Sequence, residues 1–154
     1  MIDVELRHSK RGDETDVYRL VTRVLASYGL STNLDGTDSD LTEIQGAYAD
    51  KGGVFRILEA EGKIIGTYGL YHISDTVCEL RKMYLLPQYH GQGHGRSMMD
   101  DALVQARKLG FREMILETNS VLERAQKLYE QYGFEPYEPG HLSDRCDMAM
   151  RLAL

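Results

Sequence analysis

Apolar and polar positions alternate through the opening IDVELRH, and then the period changes. From Asp13 onward Val17, Leu20, Val21, Val24 and Tyr28 recur at helical spacing until Gly29, which predicts an edge strand followed by a helix with Asp13 at its cap. The stretch LSTNLDGTDSD is polar and turn-rich, and Leu41, Ile44 and Tyr48 predict a weaker second helix that ends at the Gly52, Gly53 pair. VFRILEAEGKIIGTYGLYHI reads as a hairpin about a Glu61, Gly62 turn, and VCELRKMYLL as a third long strand. A helix from about Gly95 to Leu109, the strand EMILET, a helix from Val121 to Tyr132 and two closing strands, Phe134 to Tyr137 and Asp147 to Leu152, complete the chain. Ser120 and Glu123 have the spacing of a capping box for the last helix. Strand and helix alternate with short punctuation and no repeat or linker, so the expected fold is mixed α/β (α+β) in one domain covering 1–154.

The strongest chemical signal is MYLLPQYHGQGHGRSMMDDAL, where a strand stops at Pro87 and becomes a helix within a few residues. Proline has no N–H for a ladder, and Gly91, Gly93 and Gly95 allow positive φ and bring amides close to a ligand. The helix that follows points its unpaired N–H groups and the positive end of its dipole at the same place, an arrangement suited to an anion and best to phosphate. Met99, Ala102, Leu103 and Ala106 give that helix an apolar face, and Gly110 stops it. A nucleotide P-loop would need Gly-Lys-Ser/Thr, and a dinucleotide fingerprint would need G-x-G-x-x-G; GQGHGRS is neither. A glycine-rich turn with no ligand is the bland alternative.

Composition changes the picture mainly by exclusion. With 154 residues, 42% hydrophobic, the chain can bury a real core. A net charge of -6 with scattered Lys and Arg argues against a nucleic-acid partner. The charged start and the absence of any long apolar run argue against a leader or a membrane span, so a cytoplasmic location is expected. Cys78 and Cys146 lie far apart and are expected to be free thiols; His90 and His94 share no helical face, so no metal site is expected.

ELRKMYLLPQYHGQGHGRSMMDDAL, together with ILETN and RAQKLYEQYGFEP downstream, resembles the GNAT superfamily of acyl-CoA-dependent N-acetyltransferases. The resemblance runs from about Val54 to Leu152, and its most specific part is the glycine loop paired with a later A-x-x-L-Y-x-x-x-G-F, here Ala125 to Phe134. It implies a largely antiparallel central sheet of six to seven strands flanked by about four helices, with acetyl-CoA as co-substrate. The loop and helix start would hold the CoA pyrophosphate through Gly91, Gln92, Gly93, His94, Gly95 and Arg96. Met83, Tyr84 and Leu85 would offer strand backbone to the pantetheine arm, and Asn119 would reach its amides. His90 stands where the family usually has Arg or Gln, so affinity rather than cofactor identity is expected to differ.

The chemistry needs three groups. An alkyl amine of pKa about 10.4 is protonated at pH 7, and removing that proton costs about 4.6 kcal/mol. A base must take the proton, and a weak acid helps a thiolate leave. Glu79 and Glu117 are the candidate bases, each matching a position that different family members use, with Glu79 favoured; each could equally be a salt-bridged strand residue near Arg81, Lys82 or Arg112. Tyr129 recurs with Leu122 and Ala125 at helical spacing, which by itself says core, whereas the family match makes it the acid that protonates the departing thiolate. Tyr132 and Tyr137 lack that match and are read as structural. The expected acceptor is a small-molecule amine or a protein amine, with a homodimer left open. A non-catalytic acyl-CoA-binding sensor or interaction module is the alternative. By the resemblance the acceptor is shaped by Tyr28 to Tyr48, a segment with no motif.

Overall fold

The computed structural model describes residues 3–154, so the Ile2 end of the expected first strand lies outside the described residues. Strand β1 (Val4–His8) leads to helix α1 (Glu14–Ala26), then a short helix α2 (Ile44–Ala47) set between two 3-10 turns. Strands β2 (Val54–Ala60), β3 (Lys63–His72) and β4 (Val77–Leu85) follow as a meander, and α3 (His94–Lys108) leads to β5 (Glu113–Thr118). Helix α4 (Glu123–Gln131), β6 (Glu135–Tyr137) and β7 (Met148–Ala153) close the chain. One sheet of order β1-β2-β3-β4-β5-β7-β6 results. Every pair is antiparallel except β4 with β5. The sheet has the seven strands of the upper expectation.

Both faces of the sheet are covered, and β3 shows it. Ile65 to Leu70 are buried in an unbroken run, where a one-sided sheet would alternate. On one face a Cβ at Gly66 would meet Met98 Sδ of α3 at 3.1 Å, and Tyr68 donates its hydroxyl to Asp101 of α3 at 2.6 Å. On the other, a Cβ at Gly69 would meet the Tyr48 ring at 2.6 Å, so only glycine lets that ring lie on the strand. Helix α1 contributes Val17, Leu20, Val21, Val24 and Leu25 to the core, the stripe its periodicity predicts. Tyr28 falls beyond the helix and is half-buried.

Several local expectations are overturned by stronger partners. Asp13 does stand at the N-cap of α1 but makes no capping bond there; its carboxylate takes the Arg7 guanidinium at 2.9 and 3.0 Å and the Lys10 amide at 2.7 Å. The Ser120, Glu123 capping box does not form. Asp147 captures both the amide and the hydroxyl of Ser120, at 2.9 and 2.7 Å, and Leu122 becomes the N-cap. The weak second helix breaks into 3-10 turns around four α-helical residues. On α3 it is Met98, with Met99, Ala102 and Ala106, that is buried, while Leu103 is half-buried.

Two features of β4 open a site. The parallel ladder to β5 covers only Val77–Glu79 against Glu113–Ile115, although β4 continues to Leu85 and β5 to Thr118, so the strands part beyond Glu79. Opposite β3, Arg81 pairs with Gly69 and Tyr84 with Thr67, which leaves one extra residue on β4 across from Tyr68. That bulge carries Lys82 at φ 55, a left-handed conformation that costs a non-glycine residue about 1–2 kcal/mol. The Thr67 hydroxyl, donating to the Lys82 carbonyl at 2.7 Å, fixes the bulge from β3.

Candidate active site

Where β4 and β5 part, a cleft of about 1020 Å³ opens, floored by the strands and walled by α1, the 3-10 region, the glycine loop and α4. Glu79, Met83, Tyr84, Leu85, His90, Gly91, Gly93, His94, Gly95, Arg96, Glu117, Asn119 and Tyr129 all line it. Residues expected from scattered parts of the sequence therefore share one space. Gln92 is the exception: its side chain turns back to the Gln88 carbonyl at 3.4 Å and the residue does not line the cleft.

One end of the cleft is an amide nest. Gly91 and Gly93 have φ of 76 and 86, and a Cβ on either would enter open space, so conformation rather than packing demands glycine. Gly95 differs from expectation: it is helical, in the first turn of α3, and a Cβ there would meet Leu128 at 3.6 Å. None of the backbone amides from Gly91 to Arg96 meets an acceptor among the described residues; the first to do so is Ser97, bonded to the Gly93 carbonyl at 3.0 Å. Consecutive free N–H groups at a helix N-terminus are an anion site. Arg124 and Lys127 on the exposed side of α4 add positive charge at the same mouth, a contribution the sequence reading missed. His90 places Nε2 at 3.2 Å from the Leu85 carbonyl, tying the loop to the end of β4. Arg96 donates to Gln131 at 3.2 Å, and the Tyr132 hydroxyl donates to Asp100 at 2.6 Å, so the start of α3 is clamped to the C-terminal end of α4.

The other end holds the titratable groups. Glu79 is buried at the apex where strand pairing stops, and one of its oxygens accepts from Arg81 Nε. Glu117 lies on β5 and accepts the Ser143 amide at 2.9 Å. Tyr129 is buried with its ring centroid 5.7 Å from that of Phe134, and its hydroxyl has no partner among the described residues. Burial pushes the Tyr129 hydroxyl well above its ordinary pKa, with Tyr84 and Cys146 as lesser causes, so it keeps its proton through the neutral range. Tyr84, half-buried, is pushed up to about 12 chiefly by desolvation. Asn119 donates to the Arg145 carbonyl and accepts from the Val121 amide, both at 2.9 Å, so its amide group braces the end of β5.

Sequence reasoning missed a charged cluster that positions this end. Lys82 Nζ lies 3.3 Å from Asp38, 3.1 Å from Asp40 and 3.2 Å from the Thr37 carbonyl, and Arg145 grips Asp38 at 2.7 and 2.9 Å. The Tyr48 hydroxyl donates to the second oxygen of Asp40. Asp40 Oδ1 has only the ion-pair contact with Lys82, without hydrogen-bond alignment. Asp38 is fully buried. Burial pushes its carboxyl up, but Arg145, the Asn33 amide and Lys82 together hold it below its ordinary value. The cluster joins the α1–α2 segment, the β4 bulge and the loop before β7, three segments that all border the cleft. The adjacent cations Arg81 and Lys82 inside an apolar strand, and the alternating acids of TDSD, were its only signals in the sequence.

Comparison with known proteins agrees with this geometry. An uncharacterised N-acetyltransferase of Escherichia coli K12, YjgM, is 35% identical over 148 residues, covering 90% of this chain and 87% of that protein. A GNAT-family acetyltransferase of Staphylococcus aureus Mu50 has the same fold, with a TM-score of 0.92 at 18% identity over 98% of this chain and 99% of that one. So does the PaiA N-acetyltransferase of Thermoplasma acidophilum, solved in complex with coenzyme A, with a TM-score of 0.79 at 20% identity over 99% of both chains. The sequence model of the acetyltransferase (GNAT) family matches residues 21–134, and with a relative this similar over nearly its whole length, the chain belongs to the GNAT family of acetyltransferases.

Proposed function

We propose that this acetyl-CoA-dependent N-acetyltransferase transfers its acetyl group directly to a primary amine, with Glu79 as base, acting through a water, and Tyr129 as acid. The observation that carries the reading is the joining of the amide nest to the parted strands. The residues present fit CoA: free amides at Gly91 to Arg96 suit the pyrophosphate, and the backbone of Met83 to Leu85 borders the space a pantetheine arm would enter. The thioester end then lies at Glu79, Glu117 and Tyr129. Bound acetyl-CoA supplies a thioester carbonyl. Attack by the amine forms the C–N bond, the C–S bond breaks, the amine proton passes to Glu79, and Tyr129 protonates the thiolate. The order of Glu79 before Glu117 rests on place alone, since both are engaged, Glu79 with Arg81 and Glu117 with the Ser143 amide: Glu79 sits at the apex of the fork. A domain of this chain's full length acting in the cytoplasm suits the reading, and no helix of the described residues is long and apolar enough to cross a membrane.

Gly93→Asp tests the cradle. The substitution sets a negative charge against the phosphates, where each lost charge-assisted hydrogen bond is worth about 1.5–3 kcal/mol. A Cβ at this position meets nothing within 4 Å, and the left-handed φ of 86 costs a non-glycine residue about 1–2 kcal/mol, so the fold is expected to survive at reduced stability. CoA affinity measured by calorimetry is expected to fall at least about tenfold. Unchanged binding by the folded variant would remove the nest from the cofactor site.

A further inference from the structure

The cleft holds a cation that the transfer chemistry does not use. Arg81 lies two residues after Glu79 on the same face of β4, and its Nε is committed to the Glu79 carboxylate. Its guanidinium carbon lies 3.8 Å from the centroid of the Tyr71 ring, which fixes the plane of the fork. Tyr71 is held in turn by the edge of Tyr48, at 5.8 Å between centroids. The two terminal nitrogens of Arg81 find no acceptor among the described residues, and Arg81 lines the cleft. Lys51, 5.9 Å from the centroid of the same tyrosine ring, also lines the cleft and has no acidic partner among the described residues. The neighbouring cations are not free in this way: Lys82 and Arg145 are matched to Asp38 and Asp40.

We propose that the acceptor is a short amino acid, whose carboxylate is taken by the terminal nitrogens of Arg81, with Lys51 adding charge, while its amine stands at Glu79. The inference rests on the reading of Glu79 as the base end of the cleft. A planar guanidinium already oriented by a ring and a carboxylate loses little freedom on gripping a second carboxylate in two hydrogen bonds. Because one nitrogen of that guanidinium touches Glu79, the anion and amine subsites adjoin, and the acceptor's carboxylate and amine must be separated by only a short carbon chain. The full charge pattern also suits a zwitterion: Glu79 and Glu117 face an ammonium, and Arg81 and Lys51 face a carboxylate. A polyamine would bring an additional positive charge against Arg81 and Lys51 with no acid free to receive it except Glu43, which lies exposed in the cleft wall.

The test is steady-state acetylation of a panel of α-amino acids, each beside its carboxamide and its decarboxylated amine. Wild type is expected to prefer the free carboxylate in kcat/KM by at least about tenfold. In Arg81→Gln that preference falls towards one, chiefly through KM for the carboxylate acceptor, and Arg81→Lys restores part of it by returning the charge without the fork. Since Arg81 also orients Glu79, the readout is the ratio between matched acceptors, which a general loss of activity would not move. Lys51→Gln lowers the same ratio by less. Acetylation of acid, amide and amine alike by wild type, or a preference that Arg81→Gln leaves unchanged, would overturn the inference while the transferase reading stood. Failure to acetylate any member, with CoA still bound, would overturn the inference, and the transferase reading would fall with it only if a broad panel of other amines and protein amines also gave no acetylated product.

Discussion

Tyr129→Phe is expected to lower turnover by roughly a hundredfold or more while CoA affinity and stability hardly move. The ring would keep its packing against Phe134, and the deleted hydroxyl has no hydrogen-bond partner among the described residues, so little folding energy goes with it. What goes is a proton at the point where a thiolate must leave. Burial raises the Tyr129 pKa, so the proton-bearing form is present throughout the neutral range and is lost only as pH climbs past the ordinary tyrosine value of 10.0. The wild-type rate should accordingly show no fall from this group below that value. Stopped-time assays with saturating acetyl-CoA, paired with calorimetry on CoA, separate the two effects. Wild-type turnover in the variant would return Tyr129 to a packing role.

Glu79→Gln is expected to cost roughly a hundredfold near neutral pH and to flatten the acid limb of the rate profile. Once the base cannot take the ammonium proton, the deprotonation cost of about 4.6 kcal/mol falls on the transition state, and activity should recover in part at high pH, where more free amine exists. Glutamine retains an oxygen for Arg81 Nε, so the strand geometry is largely preserved. Glu117→Gln likewise retains an acceptor for the Ser143 amide and is expected to leave the limb in place. A reversed pattern would move the base to Glu117 and leave the reaction class standing; a limb unchanged in both variants would assign proton removal to ordered water.

Features carried by local chemistry were readable in the sequence. The glycine loop, the turn into α3 and the stripe of α1 depend on residues within a few positions of one another, and they lie where periodicity and glycine spacing put them, with helix α3 starting one residue early. The family resemblance supplied what periodicity could not, namely that Glu79, Glu117 and Tyr129 would share one space with the loop, and the cleft does bring them together. Most of the misreadings share one physical cause, partners distant in sequence; Asp13, taken by Arg7 and Lys10 within six residues, is a local exception. Asp147 takes Ser120 from 27 residues away and dissolves a capping box. Asp38 is held by Arg145 from 107 residues away, so the segment around it is fixed by ion pairs rather than by a helical period. Lys82 in a left-handed bulge is likewise invisible to strand propensity, since only the register against β3 reveals the extra residue. The acceptor end of the cleft is built from these long-range contacts, which is why its charge pattern could not be read before the fold.

Direct transfer from acetyl-CoA to an amine is tested most directly by weighing both products of a single reaction. The protein is incubated with acetyl-CoA and a broad amine panel, and free thiol and acetylated acceptor are quantified together by mass spectrometry. Direct attack predicts one acetylated amine for each CoA released and no acetyl group left on the protein at any time point. Release of CoA without an acetylated amine, or an acetyl-enzyme that accumulates when the acceptor is withheld, would contradict it.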